Sequence, residues 1–379
     1  MGTTEVERPA RSARPRRGLR TSTVVGRIVL VAVTALLVAV IAILAVLHAM
    51  VTGPSETMRT QLVLSATQAS ATKWIPGLFL GQARVDEIVA KSGEVQAAVI
   101  QMGDPTTSGE DGQPTDAEED EWANAIDGMI YKTRNGSTFA AYILLVKDPS
   151  RVFVGTSSDY HSGQIGARIF DIVEREGAVA AINAGEFADT GGHGTGDNPI
   201  GLTYSKGSCV WNDGARRTFM GFDKDNKLHV YNEMTKAKAD ELGIRDAVSF
   251  QTGNVLITND GENLTLHYAE GNLGMSQRTA IAQRADGTVI LLVTDGRTAS
   301  SLGATRNDVI NLLVDEGAVT AGMLDGGSST MMYYRDYYDK YDVDTTNLDQ
   351  YQLMGLVNKY KAFTKPRSMP TYFLVAPEA

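Results

Sequence analysis

Between Ile28 and Leu47 the chain runs for twenty residues, IVLVAVTALLVAVIAILAVL, without one charged side chain. A helix rising about 1.5 Å per residue carries such a run across a hydrocarbon core of about 30 Å while satisfying its own backbone groups. Residues 28–50 therefore read as a transmembrane anchor. The flanks set its direction: residues 1–27 hold Arg8, Arg11, Arg14, Arg16, Arg17, Arg20 and Arg27 against Glu5 and Glu7, a basic tail of +5. The positive-inside rule places this tail in the cytoplasm and everything from about residue 51 outside, as a single-pass cell-membrane protein. A cleaved signal peptide is the competing reading, although its apolar core is usually only about 7–15 residues long.

With a formal net charge of −10 for the whole chain, removing the +5 tail leaves −15 on the rest. An acidic body repels nucleic-acid phosphates at long range, so DNA and RNA are excluded as partners, and a polyanionic substrate needs a locally basic pocket. Cys209 is the only cysteine. It rules out an intrachain disulfide and a thiolate-rich zinc site, and reads as a small buried apolar residue.

Residues 51–92 read as a stalk or helical linker, broken at Pro76 and Gly77. The stretch 104–127, DPTTSGEDGQPTDAEEDEWANAID, is acidic and turn-rich, most simply a solvated loop and alternatively a calcium site. From residue 93 to 379 short apolar runs alternate with turns: FAAYILLV, AVAAINAG, KLHVYN, AVSFQ, VLITNDG, RTAIAQ, TVILLVTDG and TYFLVAP. Helical patterns fall near 163–176, 235–242 and 304–317. Strands outnumber helices and are mostly joined by turns, which predicts an α+β fold, a mixed β-sheet core with flanking helices.

Chemistry concentrates where polar residues or glycines end an apolar run, since a rigid scaffold presents such loops to substrate. Four segments qualify: Asn183-Ala-Gly-Glu186-Phe with the following glycine-rich loop that holds His193; Arg278-Thr279; Asp295-Gly-Arg297; and Asp325-Gly326-Gly327-Ser328-Ser329-Thr330. Consecutive glycines allow backbone N–H groups to approach an anion, and the three hydroxyls add donors. Arg278 and Arg297 offer planar forks for phosphate oxygens. Glu186, Asp295 and Asp325 are the carboxylates available as acid, base or nucleophile. Each also has a plainer reading: Asp-Gly-Gly as a turn, Asp295-Gly as a hairpin tip, Arg278 as a surface residue, Asn183 as a turn brace and His193 as a solvated loop residue. Carboxylates near a phosphate could also hold a divalent cation, Ca or Mg, and the stretch 338–347 resembles a calcium loop but lacks its glycine and terminal glutamate. No G-x-S-x-G elbow, Walker A loop or H-E-x-x-H helix is present.

Taken in order, Asn183-Ala-Gly-Glu-Phe, Pro199-Ile-Gly, Arg278-Thr-Ala-Ile, Asp295-Gly-Arg, Ser301-Leu-Gly-Ala-Thr and Leu324-Asp-Gly-Gly-Ser-Ser-Thr-Met resemble the phosphodiester glycosidase family. The resemblance covers roughly residues 90–377, including the closing Pro366-Arg367-Ser-Met-Pro-Thr-Tyr. It implies hydrolysis of a sugar-1-phosphodiester, in a family that includes bacterial exopolysaccharide-associated envelope proteins. Sugar-phosphates or glycopolymers are then the expected substrates. It also implies Asp325 and Asp295 at the anomeric centre, Arg278 and Arg297 on the phosphate, and Asn183 with the hydroxyls of 328–330 orienting it. Two departures stand out. The family usually has Asn-Gly-Gly-Phe-Phe at 183–187, so Glu186 is suggested by its chemistry alone, and Met323 and Ser328 replace a polar residue and a third glycine. A glycopolymer-binding protein without turnover, or a phosphodiesterase or transferase acting at P–O, are the alternatives.

Overall fold

The computed structural model describes residues 21–67, 72–92, 95–101, 121–157, 160, 166–189, 194, 196–269, 274–298, 301–360 and 365–378. They divide into two units, Met1–Pro54 and Ser55–Ala379. In the first, a helix covers Thr21–Thr52, and its Val25–Thr52 portion is long and apolar enough to cross a membrane. Its one polar side chain in the apolar run, Thr34, returns its hydroxyl to the Leu30 carbonyl at 2.8 Å, so no donor is left bare. Residues 104–120 of the acidic stretch and His193 lie outside the described residues.

The second unit is built on β-strands: β1 (Val95–Gln101), β2 (Met129–Asn135), β3 (Ala140–Val146), β4 (Val152–Thr156), β5 (Ala180–Asn183), β6 (Leu202–Ser205) and β7 (Ser208–Asn212). There follow β8 (Thr218–Asp223), β9 (Leu228–Tyr231), β10 (Ile244–Phe250), β11 (Val255–Asn259), β12 (Asn263–Ala269), β13 (Thr279–Arg284), β14 (Val289–Thr294), β15 (Ala318–Met323), β16 (Met332–Tyr334) and β17 (Thr371–Val375). They form an eight-stranded sheet in the order β1-β12-β11-β15-β13-β14-β3-β2, a five-stranded sheet β7-β6-β10-β8-β9 and a four-stranded sheet β16-β5-β17-β4. The strand pairs are antiparallel, as expected where turns rather than crossover helices connect neighbours. The fold is α+β.

One apolar core joins all three sheets. Leu144 and Val146 of β3, Val289, Leu291 and Val293 of β14, Met220 and Phe222 of β8, Ile182 of β5, and Phe373 and Val375 of β17 meet there. The alternate residues face outward into further cores. Ile143, Leu145, Ile290 and Leu292 pack under the helix Arg306–Asp315, and Ala181, Tyr372 and Leu374 pack against the helix Ile169–Arg175. Because both faces of β14 and β17 are covered, those strands read as unbroken apolar runs and not as alternating ones. The helix Arg306–Asp315 starts at Thr305, whose side chain closes a capping box with Asp308, and Gly317 at φ 80° follows its end.

Polar bracing ties the outer edge of the large sheet together. Lys132 Nζ on β2 reaches both Glu121 and Glu316 at 2.9 Å, and Arg284 on β13 holds Glu121 at 2.7 Å. The Arg284 hydrogen bond, more than any other influence, keeps the Glu121 carboxyl at about 2.

Two expectations differ in detail. The segment 51–92, foreseen as a stalk or helical linker, holds helices Glu56–Thr67, Ile75–Leu80 and Gln82–Ser92, and Val63, Leu64, Val85 and Ile88 bury one another in a small core of their own. Cys209 is half-buried, not buried: it sits on the edge strand β7, where alternate side chains face solvent, with Sγ 3.5 Å from the Trp211 carbonyl.

Candidate active site

The antiparallel register brings four chain ends to one edge of the large sheet. Strands β14 and β15 finish there at Thr294 and Met323, β13 begins there at Thr279, and β5 of the neighbouring sheet ends at Asn183. The turn after β15 stitches the two sheets together. Asp325 donates its N–H to the Ala184 carbonyl at 3.0 Å, and Asn183 Nδ2 donates to the Asp325 carbonyl at 2.7 Å. Asn183 Oδ1 in turn accepts from the Thr279 hydroxyl at 2.9 Å and the Met331 N–H at 3.1 Å. Asn183 is fully buried. It braces the turn that carries Asp325, as does Thr279, whose hydroxyl also lies 3.2 Å from that of Thr330.

The glycines of this turn are required by shape. A Cβ on Gly326 would come 2.9 Å from the Gln277 carbonyl, and Gly327, at φ 63°, donates its N–H to that same oxygen at 2.9 Å. The turn closes as a short 3-10 segment, Gly327–Ser329. Ser329 and Thr330 point inward and are buried, whereas Ser328 stays half-buried and its carbonyl takes a short hydrogen bond from the Tyr360 hydroxyl.

Asp325 sits half-buried on the wall of a cleft of about 530 Å³. Most of its surroundings are protein, and this desolvation pushes the carboxyl up to about 6, against the opposing pull of the Ser329 hydroxyl, the Arg367 charge and the Gly326 N–H. The negative charge of Glu186 adds to the upward push. Glu186 is half-buried, held by Arg217 Nε at 2.6 Å, and burial raises its carboxyl despite that pairing.

Arg278 and Arg297 approach the same turn from beside β13 and β14, whereas Asp295 does not. Gly296 and Gly326 both pack on the Ser276–Gln277 backbone, so the Asp295 and Asp325 turns share one support. The Arg297 guanidinium, on a residue with φ 54°, lies beside Gly327 and donates to the Ser65 carbonyl at 3.2 Å. Arg278 lines the cleft and is buried; it donates to the Ala304 carbonyl at 3.1 Å and, through a short bond, to the Gly274 carbonyl. Burial, with help from Arg297 and Arg306, lowers it to about 10, still cationic at neutral pH. Asp295 faces elsewhere. Its Oδ2 accepts from the Tyr142 hydroxyl at 2.8 Å, while Oδ1, shielded from solvent, meets no donor in full hydrogen-bond geometry. Burial raises it to about 6, offset only in part by Tyr142 and by the N–H and charge of Lys359.

Leu64, Thr67 and Val89 of the helical segment form part of the cleft wall, opposite no sequence signal that would have announced them. Sequence reasoning also passed over Arg367, Asp189 and Arg217. Arg367 Nη1 lies 3.4 Å from Ser329 Oγ and Nη2 lies 3.4 Å from Asp189 Oδ2. The only available signal for Arg367 was its place in the Pro366-Arg367 stretch. Among the described residues no group of three or more His, Cys, Asp or Glu side chains gathers as a metal site. In the calcium-like stretch, Asp344 caps the 3-10 turn Thr345–Asn347 by accepting from the Thr346 N–H.

A family model described as phosphodiester glycosidase matches residues 176–376. The SPbeta prophage-derived protein YomE of Bacillus subtilis (strain 168) is 26% identical over 186 residues, 48% of this chain and 27% of that protein. The chain thus spans about a quarter of the length of this curated relative. Among solved structures, the catalytic domain of zebrafish N-acetylglucosamine-1-phosphodiester alpha-N-acetylglucosaminidase superposes with a TM-score of 0.48 at 17% identity, over 75% of this chain and 83% of that one. A Synechocystis protein superposes with a TM-score of 0.45 at 14% identity, over 65% and 62%.

Proposed function

Because the chain belongs to the phosphodiester glycosidase family, we propose that it is a membrane-anchored, extracytoplasmic hydrolase that cleaves the bond between an anomeric carbon and a phosphodiester oxygen in a cell-envelope or extracellular glycopolymer. The observation that carries this reading is Asp325: a carboxyl raised to about 6 on the wall of a 530 Å³ cleft, with a second carboxylate, Glu186, close enough to influence its ionisation.

Water supplies the hydroxyl that ends on the anomeric carbon. The C–O bond to phosphate breaks, its electron pair leaves with the phosphomonoester, and the proton released from water passes to a carboxylate and then to solvent. A phosphomonoester is already a tolerable leaving group, so positioning and electrostatic stabilisation matter more than strong acid assistance. Asp325 serves the anomeric centre as base, nucleophile or stabiliser of the oxocarbenium-like transition state, with Glu186 as its neighbour. Asn183 and Thr279 hold the turn that aims it, while Arg278 on the cleft wall and Arg297 beside Gly327 supply positive charge near it.

Turnover of a sugar-1-phosphodiester by the full chain, followed by release of reducing sugar, tests the reading. Asp325→Asn is expected to abolish it while substrate still binds. Binding of glycopolymer with no product from the unmodified protein would instead mark a recognition protein.

A further inference from the structure

We propose that Arg367, held by Asp189 and Ser329, is the guanidinium that grips the substrate's phosphate, and that Asp189 is the residue that positions it. This rests on the hydrolase reading above and goes beyond it by assigning the anion subsite.

Three observations on geometry carry the assignment. The first is a contrast between arginines. Arg278 spends its guanidinium on the Ala304 and Gly274 carbonyls, so its principal work is holding backbone. Among the described residues the side-chain contacts of Arg367 are long, 3.4 Å to Ser329 Oγ and 3.4 Å to Asp189 Oδ2, while 24% of its side chain remains accessible. A guanidinium has five N–H donors, so two long contacts leave donors of this fork over for phosphate oxygens.

The second is construction. Asp189 Oδ1 accepts the Gly194 N–H at 2.7 Å while its Oδ2 faces Arg367, so one carboxylate joins Gly194 to the guanidinium. Gly194 has φ 62°, and a Cβ there would come 2.6 Å from Arg367 Nε. The Arg367 N–H also donates to the Tyr360 hydroxyl at 3.3 Å, which fixes the chain beside the Asp325 turn.

The third is placement. Arg367 Nη1 reaches Ser329, which closes the same short turn that begins at Asp325, and the Arg367 charge acts on the Asp325 carboxyl, so a phosphate on the guanidinium lies near the group assigned to the anomeric carbon. The nearby Glu186 does not oppose an anion at full strength, because Arg217 pairs with it at 2.6 Å.

The test is titration of the full-length protein in detergent with inorganic phosphate, by calorimetry, beside steady-state kinetics. A loss of roughly 10–100-fold in affinity corresponds to about 1.4–2.7 kcal/mol, within what a charge-assisted contact is worth. Arg367→Ala should weaken phosphate binding by that factor and raise KM more than it lowers kcat. Arg367→Lys should recover part of the binding, and Asp189→Asn should weaken it less than Arg367→Ala does. Arg216→Ala, which removes an exposed guanidinium paired with Glu233, serves as the charge control and should leave binding unchanged. Phosphate affinity in Arg367→Ala equal to that of the unmodified protein, or no phosphate binding by the unmodified protein, overturns the assignment. Arginine-dependent phosphate binding without turnover of any sugar-1-phosphodiester would instead leave the anion site standing and remove the hydrolase reading.

Discussion

Replacing Asp325 by Asn should change how the stability of the protein depends on pH, in a direction opposite to that of an ordinary salt-bridged carboxylate. The folded carboxyl titrates at about 6 and the unfolded one at 3.8. A raised folded pKa means that the native state holds its proton longer, so this group lowers stability progressively as pH rises from 3.8 to 6 and by a constant amount above. At 1.36 kcal/mol per pK unit the penalty approaches ~3 kcal/mol at pH 8 and is only about 0.5 kcal/mol at pH 4. Asparagine has the same shape and never ionises, so it escapes the pH-dependent part whatever its static contacts cost. The difference in stability between Asp325→Asn and the unmodified protein should therefore move in favour of the variant by roughly 2–3 kcal/mol between pH 4 and pH 8. Paired thermal unfolding curves at the two pH values measure it. A difference that stays constant across that range, or moves toward the unmodified protein, would refute the desolvated environment on which the role of Asp325 depends.

Other consequences are equally open to measurement. Asn183→Ala should cost about 3–5 kcal/mol, because it strands the Thr279 hydroxyl, the Met331 N–H and the Asp325 carbonyl in a buried place; denaturant unfolding should register the loss, and a cost below ~1 kcal/mol would contradict the bracing role. The Glu121–Arg284 pair depresses the Glu121 carboxyl from 4.5 to about 2, so its stabilisation is fully present above pH 4.5 and fades as pH falls toward 2. Glu121→Gln should accordingly lose stability at pH 7 and lose little at pH 2, read from unfolding midpoints. Gly326→Ala should destabilise by about 1–3 kcal/mol and depress turnover, since its methyl would meet the Gln277 carbonyl at 2.9 Å. If Val25–Thr52 is an uncleaved anchor, the intact chain will float with liposomes after carbonate washing, and recovery of a shortened soluble form would mark a signal sequence.

Much of the fold was legible because its strands declare themselves: runs such as Val289–Thr294 and Thr371–Val375 are apolar throughout and bounded by turn residues. Their partition into three sheets was not, since pairing is set by contacts between segments far apart in the chain, such as β5 with β16 and β17. The glycines at 326 and 327 announced a tight turn, and the turn is there. What no local pattern could state is how side chains divide their labour around it. Asn183 and Arg278 carry the residue types of a phosphate site, yet much of their bonding goes to the protein's own backbone. Arg367, in the closing Pro366-Arg367 stretch that resembles the family but names no role, is brought near Asp325 by the pairing of β17 with β5. Leu64 and Thr67, close in sequence to the long apolar helix, reach the cleft through the packing of a separate helical core.

The central claim is that water attacks carbon and not phosphorus. Hydrolysis of a sugar-1-phosphodiester in oxygen-18 water, with both products analysed by mass spectrometry, tests it directly. The account predicts the heavy oxygen on the anomeric hydroxyl of the released sugar and none in the phosphomonoester. Label in the phosphate would show P–O cleavage and contradict it.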